Sequence, residues 1–153
     1  MKKLFIICSV AVLLACSSTQ DTARIQAVSQ MMESTDYIFV AEMAIPMGSK
    51  SIFLTSPYTL KITKDSLISY LPYFGRAYVA PIDPTNGGIQ FESVQFGYQE
   101  TKKSEGWDIE IRPTDVSRKY HMLLEVNEIG NAFLSVMSSD RQMISFSGYV
   151  EQR

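Results

Sequence analysis

The chain has 153 residues, of which 46% are hydrophobic and 20% charged, with 14 Lys+Arg against 16 Asp+Glu and a formal net charge of −2. That length makes one ordinary domain with enough chain to bury a core. The slightly acidic balance excludes the basic face of a nucleic-acid binder, and it disfavours adsorption to an anionic membrane by charge alone.

The first fifteen residues read as a secretory signal. Lys2 and Lys3 supply the positive start, Leu4 to Leu14 is an apolar run broken only by Cys8 and Ser9, and Ala15 is small. The run is too short to span a bilayer as a helix. Leu13-Leu14-Ala15-Cys16 resembles the lipobox of bacterial lipoproteins, in which the chain is cut before the cysteine and the cysteine is lipidated. The resemblance implies a signal peptide at 1–15 and a membrane anchor on Cys16. Each buried methylene of such an anchor contributes roughly 0.8 kcal/mol, and about two acyl chains hold stably. Ser17 stands where Asp would resemble the inner-membrane retention signal. The outer membrane is therefore expected, with the periplasmic face favoured over the cell surface, because Ser17 to Asp21 contains a single acid.

Residues 16–21 are expected to form a tether and 22–153 a single domain. Cutting before Cys16 removes Lys2 and Lys3, which leaves 12 basic against 16 acidic residues, a net charge of −4. Cys8 goes with the signal and Cys16 is taken by lipid, so the domain has no thiol for a disulfide, a nucleophile or a metal.

Asp21 or Thr22 can cap a helix over about 22–34, with Ile25, Val28 and Met32 at helical spacing. After Ser34 the period changes to two. Tyr37, Phe39, Ala41, Met43 and Ile45 alternate up to Pro46 and Gly48. Ile52 to Leu54 is a short extended piece before Ser56-Pro57. Tyr58, Leu60 and Ile62 form a strand, Lys64-Asp65 a tight turn, and Leu67, Ser69 and Leu71 a strand ended by Pro72. Arg76 to Ala80 is a further short strand closed by Pro81. Ile89 and Phe91 share one phase; Val94, Phe96 and Tyr98 take the other, which predicts a bulge or bend near Ser93. Glu100 to Gly106 reads as a charged loop. Trp107, Ile109 and Ile111, then Tyr120, Met122, Leu124 and Val126, alternate on two more strands. Gly130-Asn131 is hairpin chemistry. Ala132, Leu134 and Val136, then Ile144, Phe146, Gly148 and Val150, complete the set.

Eight or nine strands with short connections and no second helix for a crossover predict a mainly β, antiparallel fold. A curled sheet closing into a barrel is expected, and a two-sheet sandwich is the alternative.

The run Tyr70-Leu71-Pro72-Tyr73-Phe74-Gly75-Arg76-Ala77-Tyr78, with Ala80-Pro81, Gly87-Gly88-Ile89, Phe91, Gly106-Trp107, Gly130-Asn131-Ala132, Arg141-Gln142 and Gly148, resembles the domain of unknown function 4251 family. The likeness covers about Ala27 to Val150. It implies a small exported β-rich domain of lipocalin-like form, and it brings no activity and no catalytic residue.

Tyr73, Phe74, Arg76 and Tyr78, together with Arg141, are the candidate ligand site, as aromatic surface with guanidinium groups to stack on a ring or pair with a carboxylate. The competing reading is a structural corner, for which Pro72 ends a strand and Gly75 supplies a backbone angle closed to other residues. Arg141 is expected either to reach into a barrel mouth or to satisfy a turn. His121 is the single histidine, out of phase with Tyr120 and Met122, and is expected to be solvated or hydrogen-bonded. Asp108 and Glu110 share one strand face with Arg112 beside them; a wet surface is favoured over acid–base catalysis. There is no Gly-x-Ser-x-Gly elbow, phosphate loop or dinucleotide fingerprint. No cofactor, metal site or enzyme activity is expected. The function expected is a binding module for a small apolar ligand in the cell envelope. An assembly protein holding an envelope partner is the alternative, and a hydrolase built on His121 is a third class.

Overall fold

The computed structural model describes residues 16–78 and 87–153, with side chains from Thr22 onward. The signal segment expected at 1–15 lies outside the described residues. Helix α1 runs Cys16–Ser34, starting six residues before the expected Thr22, so the backbone of the expected tether is helical. Among the described residues no helix is long and apolar enough to cross a membrane.

Nine strands follow among the described residues: β1 (Tyr37–Pro46), β2 (Ile52–Ile62), β3 (Leu67–Leu71), β4 (Ile89–Ser93), β5 (Phe96–Lys103), β6 (Gly106–Pro113), β7 (Tyr120–Asn127), β8 (Asn131–Ser138) and β9 (Arg141–Gln152). They make one sheet in the order β4-β3-β2-β1-β9-β8-β7-β6-β5, antiparallel throughout. A single sheet replaces the sandwich alternative. Its two outermost strands, β4 and β5, are consecutive in the chain and separated only by Val94 and Gln95. The sheet must therefore curl until its edges meet, and the result is a nearly closed barrel.

The bend near Ser93 is this meeting point. Asp115, beyond the far end of β6, accepts hydrogen bonds from the Ser93 hydroxyl, from Val94 N at 2.9 Å and from Gln95 N at 3.1 Å. Thr114 donates to Gln95 O from both its backbone N and its Oγ1, each at 2.8 Å. These bonds satisfy the backbone groups that the bend takes out of the ladder. Val94, expected to share the inward phase of Phe96, is exposed at this corner instead.

The strand boundaries differ from the periodicity in four places. A bulge between Ala41 and Met43 flips the phase of β1, so Ala44 and Pro46 are buried where Met43 and Ile45 were expected. The pieces on either side of Ser56-Pro57 belong to one strand, β2. Pro57 is tolerated because residues 54–57 have no ladder partner on either side. The expected strand from Arg76 to Ala80 is, among the described residues, a single bridge between Ala77 and Arg141. The expected loop from Glu100 to Gly106 is mostly ladder, because Lys103 pairs with Gly106 and leaves a two-residue turn.

One contiguous core fills the barrel. Phe39, Leu60, Ile62, Leu71, Ile109 and Phe146 are among its fully buried members. Opposite walls touch: Phe91 stacks on Tyr120 with centroids 5.0 Å apart, and the Tyr37 and Tyr98 hydroxyls meet at 3.1 Å. Burial pushes the Tyr98 phenol up to about 12, so it stays neutral in this contact. Helix α1 covers the lower end of the barrel with Val28, Met31 and Met32. It ends with Thr35 at φ 50°, where Thr35 N donates to Met32 O and Asp36 N to Met31 O. The Gly130 turn at φ 84° reaches the helix through Val28, and Arg24 Nε donates to Ile129 O.

At Gly148 the β1 backbone leaves no room for a side chain, because a Cβ there would lie 1.9 Å from Val40 O. Gly148→Ala is expected to destabilise the protein by about 2–4 kcal/mol through forced backbone displacement, and Phe146→Ala by about 3–5 kcal/mol through cavity formation. Urea midpoints at constant slope measure both, and an unchanged midpoint for either contradicts this packing.

Candidate functional site

The upper end of the barrel, opposite α1, is crossed by the segment that follows β3. Buried Pro72 ends the β3 run, and the chain then passes over to the start of β9. There it is fastened bond by bond. Gln142 N donates to Arg76 O at 3.0 Å, Arg76 N to Gln142 Oε1 at 3.3 Å, and Tyr78 N to Asp140 O at 2.8 Å. The Tyr73 hydroxyl shares its proton between Arg76 O at 2.9 Å and Gln142 O at 3.0 Å. Burial raises the Tyr73 phenol, against the pull of the Arg141 guanidinium, which keeps it a donor.

Gly75 serves this corner differently from expectation. It is not at positive φ. A Cβ on it would lie 2.8 Å from the Tyr73 hydroxyl, so the glycine makes room for that ring rather than a special backbone angle.

Arg141 fills the mouth beneath this strap. It is 5% exposed, and its guanidinium carbon lies 4.6 Å from the centre of the Tyr73 ring. Nη1 reaches Gly87 O at 3.3 Å and Gly88 O at 3.4 Å, at the head of β4 on the far wall. Nη2 reaches Asp140 Oδ2 at 3.4 Å. Asp140 also pairs with Arg118 at 3.1 Å and accepts from the Ser138 hydroxyl.

The structure thus joins two of the candidate residues, Tyr73 and Arg141, in direct contact. Phe74, Arg76 and Tyr78 lie on the same strap with their side chains exposed. No ion pair or ring contact of Arg76 is seen among the described residues. The stacking and the carboxylate contact expected for Arg76 are made by Arg141. Asp140 and Arg118 were missed by sequence reasoning. The turn residues Ser138-Ser139-Asp140 before Arg141 were the available signal, whereas nothing local points from Arg118 to this site.

Two open clefts lie away from the strap. The one of about 510 Å³ sits on the outer wall near the β5–β6 turn, beside Lys103, Trp107, Glu125 and Phe133. Another is lined by Gln99, Asp108, Glu110 and His121. His121 is half-buried and hydrogen-bonded to Glu110, which also pairs with Arg112. Desolvation pushes Glu110 up, but His121 and Arg112 together hold it below the ordinary carboxylate range. An ionised Glu110 is a poor proton donor near neutral pH. Among the described residues no serine hydroxyl is hydrogen-bonded to His121, and no group of three metal-ligating side chains is present.

Fold and site together define a small, filled antiparallel β-barrel with one end covered by a helix and the other strapped over a buried arginine. The family model described as "Domain of unknown function (DUF4251)" matches residues 19–150, and the chain belongs to that family. It is similar to the crystal structure of a DUF4251 family protein from Bacteroides eggerthii DSM 20697, with a TM-score of 0.64 and 10% identity over 88% of this chain and 91% of that one. At that identity the likeness speaks for the fold alone. No curated protein matches.

Burial pushes the Asp140 carboxyl up, but the Ser138 hydroxyl and the Arg141 and Arg118 guanidiniums together hold it below its ordinary range. A group lowered in the folded state stabilises above its unfolded value, about 3.9, and that contribution is lost as pH falls through the folded value. The unfolding midpoint is expected to fall as pH drops below about 4, and Asp140→Asn should make that dependence shallower. Equal slopes for the two proteins would show that Asp140 does not carry it.

Proposed function

We propose that this protein is an envelope lipoprotein that works by binding rather than by catalysis. It is anchored through lipid on Cys16, in the outer membrane and facing the periplasm, and its recognition surface is the strapped mouth of the barrel. The observation that carries this reading is the arrangement at that end. Tyr73 and Arg141 are locked together by hydrogen bonds and stacking, while Phe74 at 36% and Tyr78 at 67% exposure are presented on the same rigid strap. Exposed aromatic side chains on a fixed backbone are the usual anchors of a binding surface, because little conformational entropy is lost when they are covered. Met47, Ile52 and Phe53, also exposed, project from the β1–β2 hairpin at the same end.

A small apolar ligand remains part of this proposal, with the rim as its seat, because the described interior is occupied by core side chains. A protein partner on the same rim is the second reading, favoured by the exposed aromatics. Native mass spectrometry of the protein extracted from its own membrane tests the site. A bound mass retained by the wild type and lost with Phe74→Ala plus Tyr78→Ala supports it, and an empty wild-type monomer sinks it.

The anchor has its own test. Cys16→Ser is expected to abolish acyl labelling and to move the protein out of the membrane fraction. Unchanged membrane recovery of Cys16→Ser would remove the anchor from the proposal.

A further inference from the structure

Arg141 is a cation with less than its share of partners. Its side chain is 4% exposed. Moving an ion out of water costs several kcal/mol unless hydrogen bonds and charge replace the solvent. Here the replacements are thin. The three contacts of Nη1 and Nη2 are 3.3–3.4 Å long, beyond the usual 2.7–2.9 Å of a charge-assisted bond. Nε is buried with no hydrogen-bond partner among the described residues. Asp140 is only a partial counter-ion, since it lies closer to Arg118, at 3.1 Å, than to Arg141, at 3.4 Å. Among the described residues, two guanidiniums and one carboxylate leave the cluster with one unbalanced positive charge.

We propose that the Nε–Nη2 edge of Arg141 is a binding site for a monoanionic carboxylate. The chemistry selects that class. Nη1 is committed to the Gly87 and Gly88 carbonyls, so the remaining edge is the planar two-donor fork that matches the two oxygens of a carboxylate. A single negative charge balances the cluster, whereas a phosphate dianion would overcompensate it beside the Asp140 carboxylate. The Tyr73 ring is held over the guanidinium by its two hydroxyl bonds, so the fork is already oriented before the ligand arrives. The inference rests on the reading of the mouth as the recognition surface and gives that surface a ligand class: a molecule or chain terminus carrying a carboxylate.

The Arg141 Nε–Hε resonance of the purified protein reads the site directly. Acetate is the probe, with chloride at matched ionic strength and phosphate as comparisons. The expected result is a saturable shift of this resonance with acetate, a smaller response to phosphate and none to chloride. Acetate should also raise the melting temperature of the wild type above its value in chloride, and Arg141→Lys, which keeps the charge but loses the fork, should lose that rise. No response to acetate, or an equal response to chloride, overturns the proposal. If acetate fails while native mass spectrometry still finds a mass that depends on Phe74 and Tyr78, the carboxylate assignment falls and the rim stands. The reverse pattern removes the rim and keeps the fork.

Discussion

The barrel depends on one corner. β4 and β5 lie at opposite ends of the sheet order, yet two residues connect them. A nine-stranded sheet can satisfy that connection only by curling almost completely round. A bend of this kind strips backbone donors from the ladder, and unpaired donors are costly when removed from water. Asp115 accepts two of those donors and the Ser93 hydroxyl as well. The Ser93 bond, followed by that from Val94 N, lowers the Asp115 carboxyl below its ordinary range, so the folded corner favours the ionised acceptor it needs. Closure then brings β1 near β5, where the Tyr37 and Tyr98 hydroxyls meet, and β4 near β7, where Phe91 meets Tyr120.

Closure also creates two ends with different treatments. At the lower end the requirement is apolar, and α1 meets it with Val28, Met31 and Met32. At the upper end β9 continues past the last β1 partner, Pro46↔Ile144, so Arg141 and Gln142 rise above the wall with a free edge. The strap from Tyr73 to Tyr78 pairs with that edge in place of β1. Protected edges are the general requirement of a β-fold, and here the protecting segment also holds Tyr73 over Arg141. The same few bonds therefore serve stability and define the mouth.

Much of the wall was legible from alternation alone. Trp107, Ile109 and Ile111, and likewise Tyr120, Met122, Leu124 and Val126, face inward as their period predicts. His121, one step out of phase, lies on the outside against Glu110. Alternation failed where an extra residue entered a strand, as at the Ala41/Met43 bulge, because one inserted position reverses every later side chain. It also failed at Pro57, since a proline reads as a strand end unless the neighbouring ladder is known to be absent there. For the mouth, the sequence singled out the strap and Arg141 separately. It could not say that Arg141, rather than Arg76, would take the Tyr73 ring.

Local period, turn chemistry and a specific local run carried the antiparallel class, a count of eight or nine strands, the bend near Ser93 and the family likeness. Only the tertiary structure decided which side chains are neighbours across the barrel. Arg118, Asp140 and Arg141 meet at the mouth, and Asp115 meets Ser93, through contacts between residues that are distant in the chain or differently oriented by their turns. Such meetings are set by how far a sheet curls and how its strands are staggered, and neither quantity is written in the alternation of a single strand.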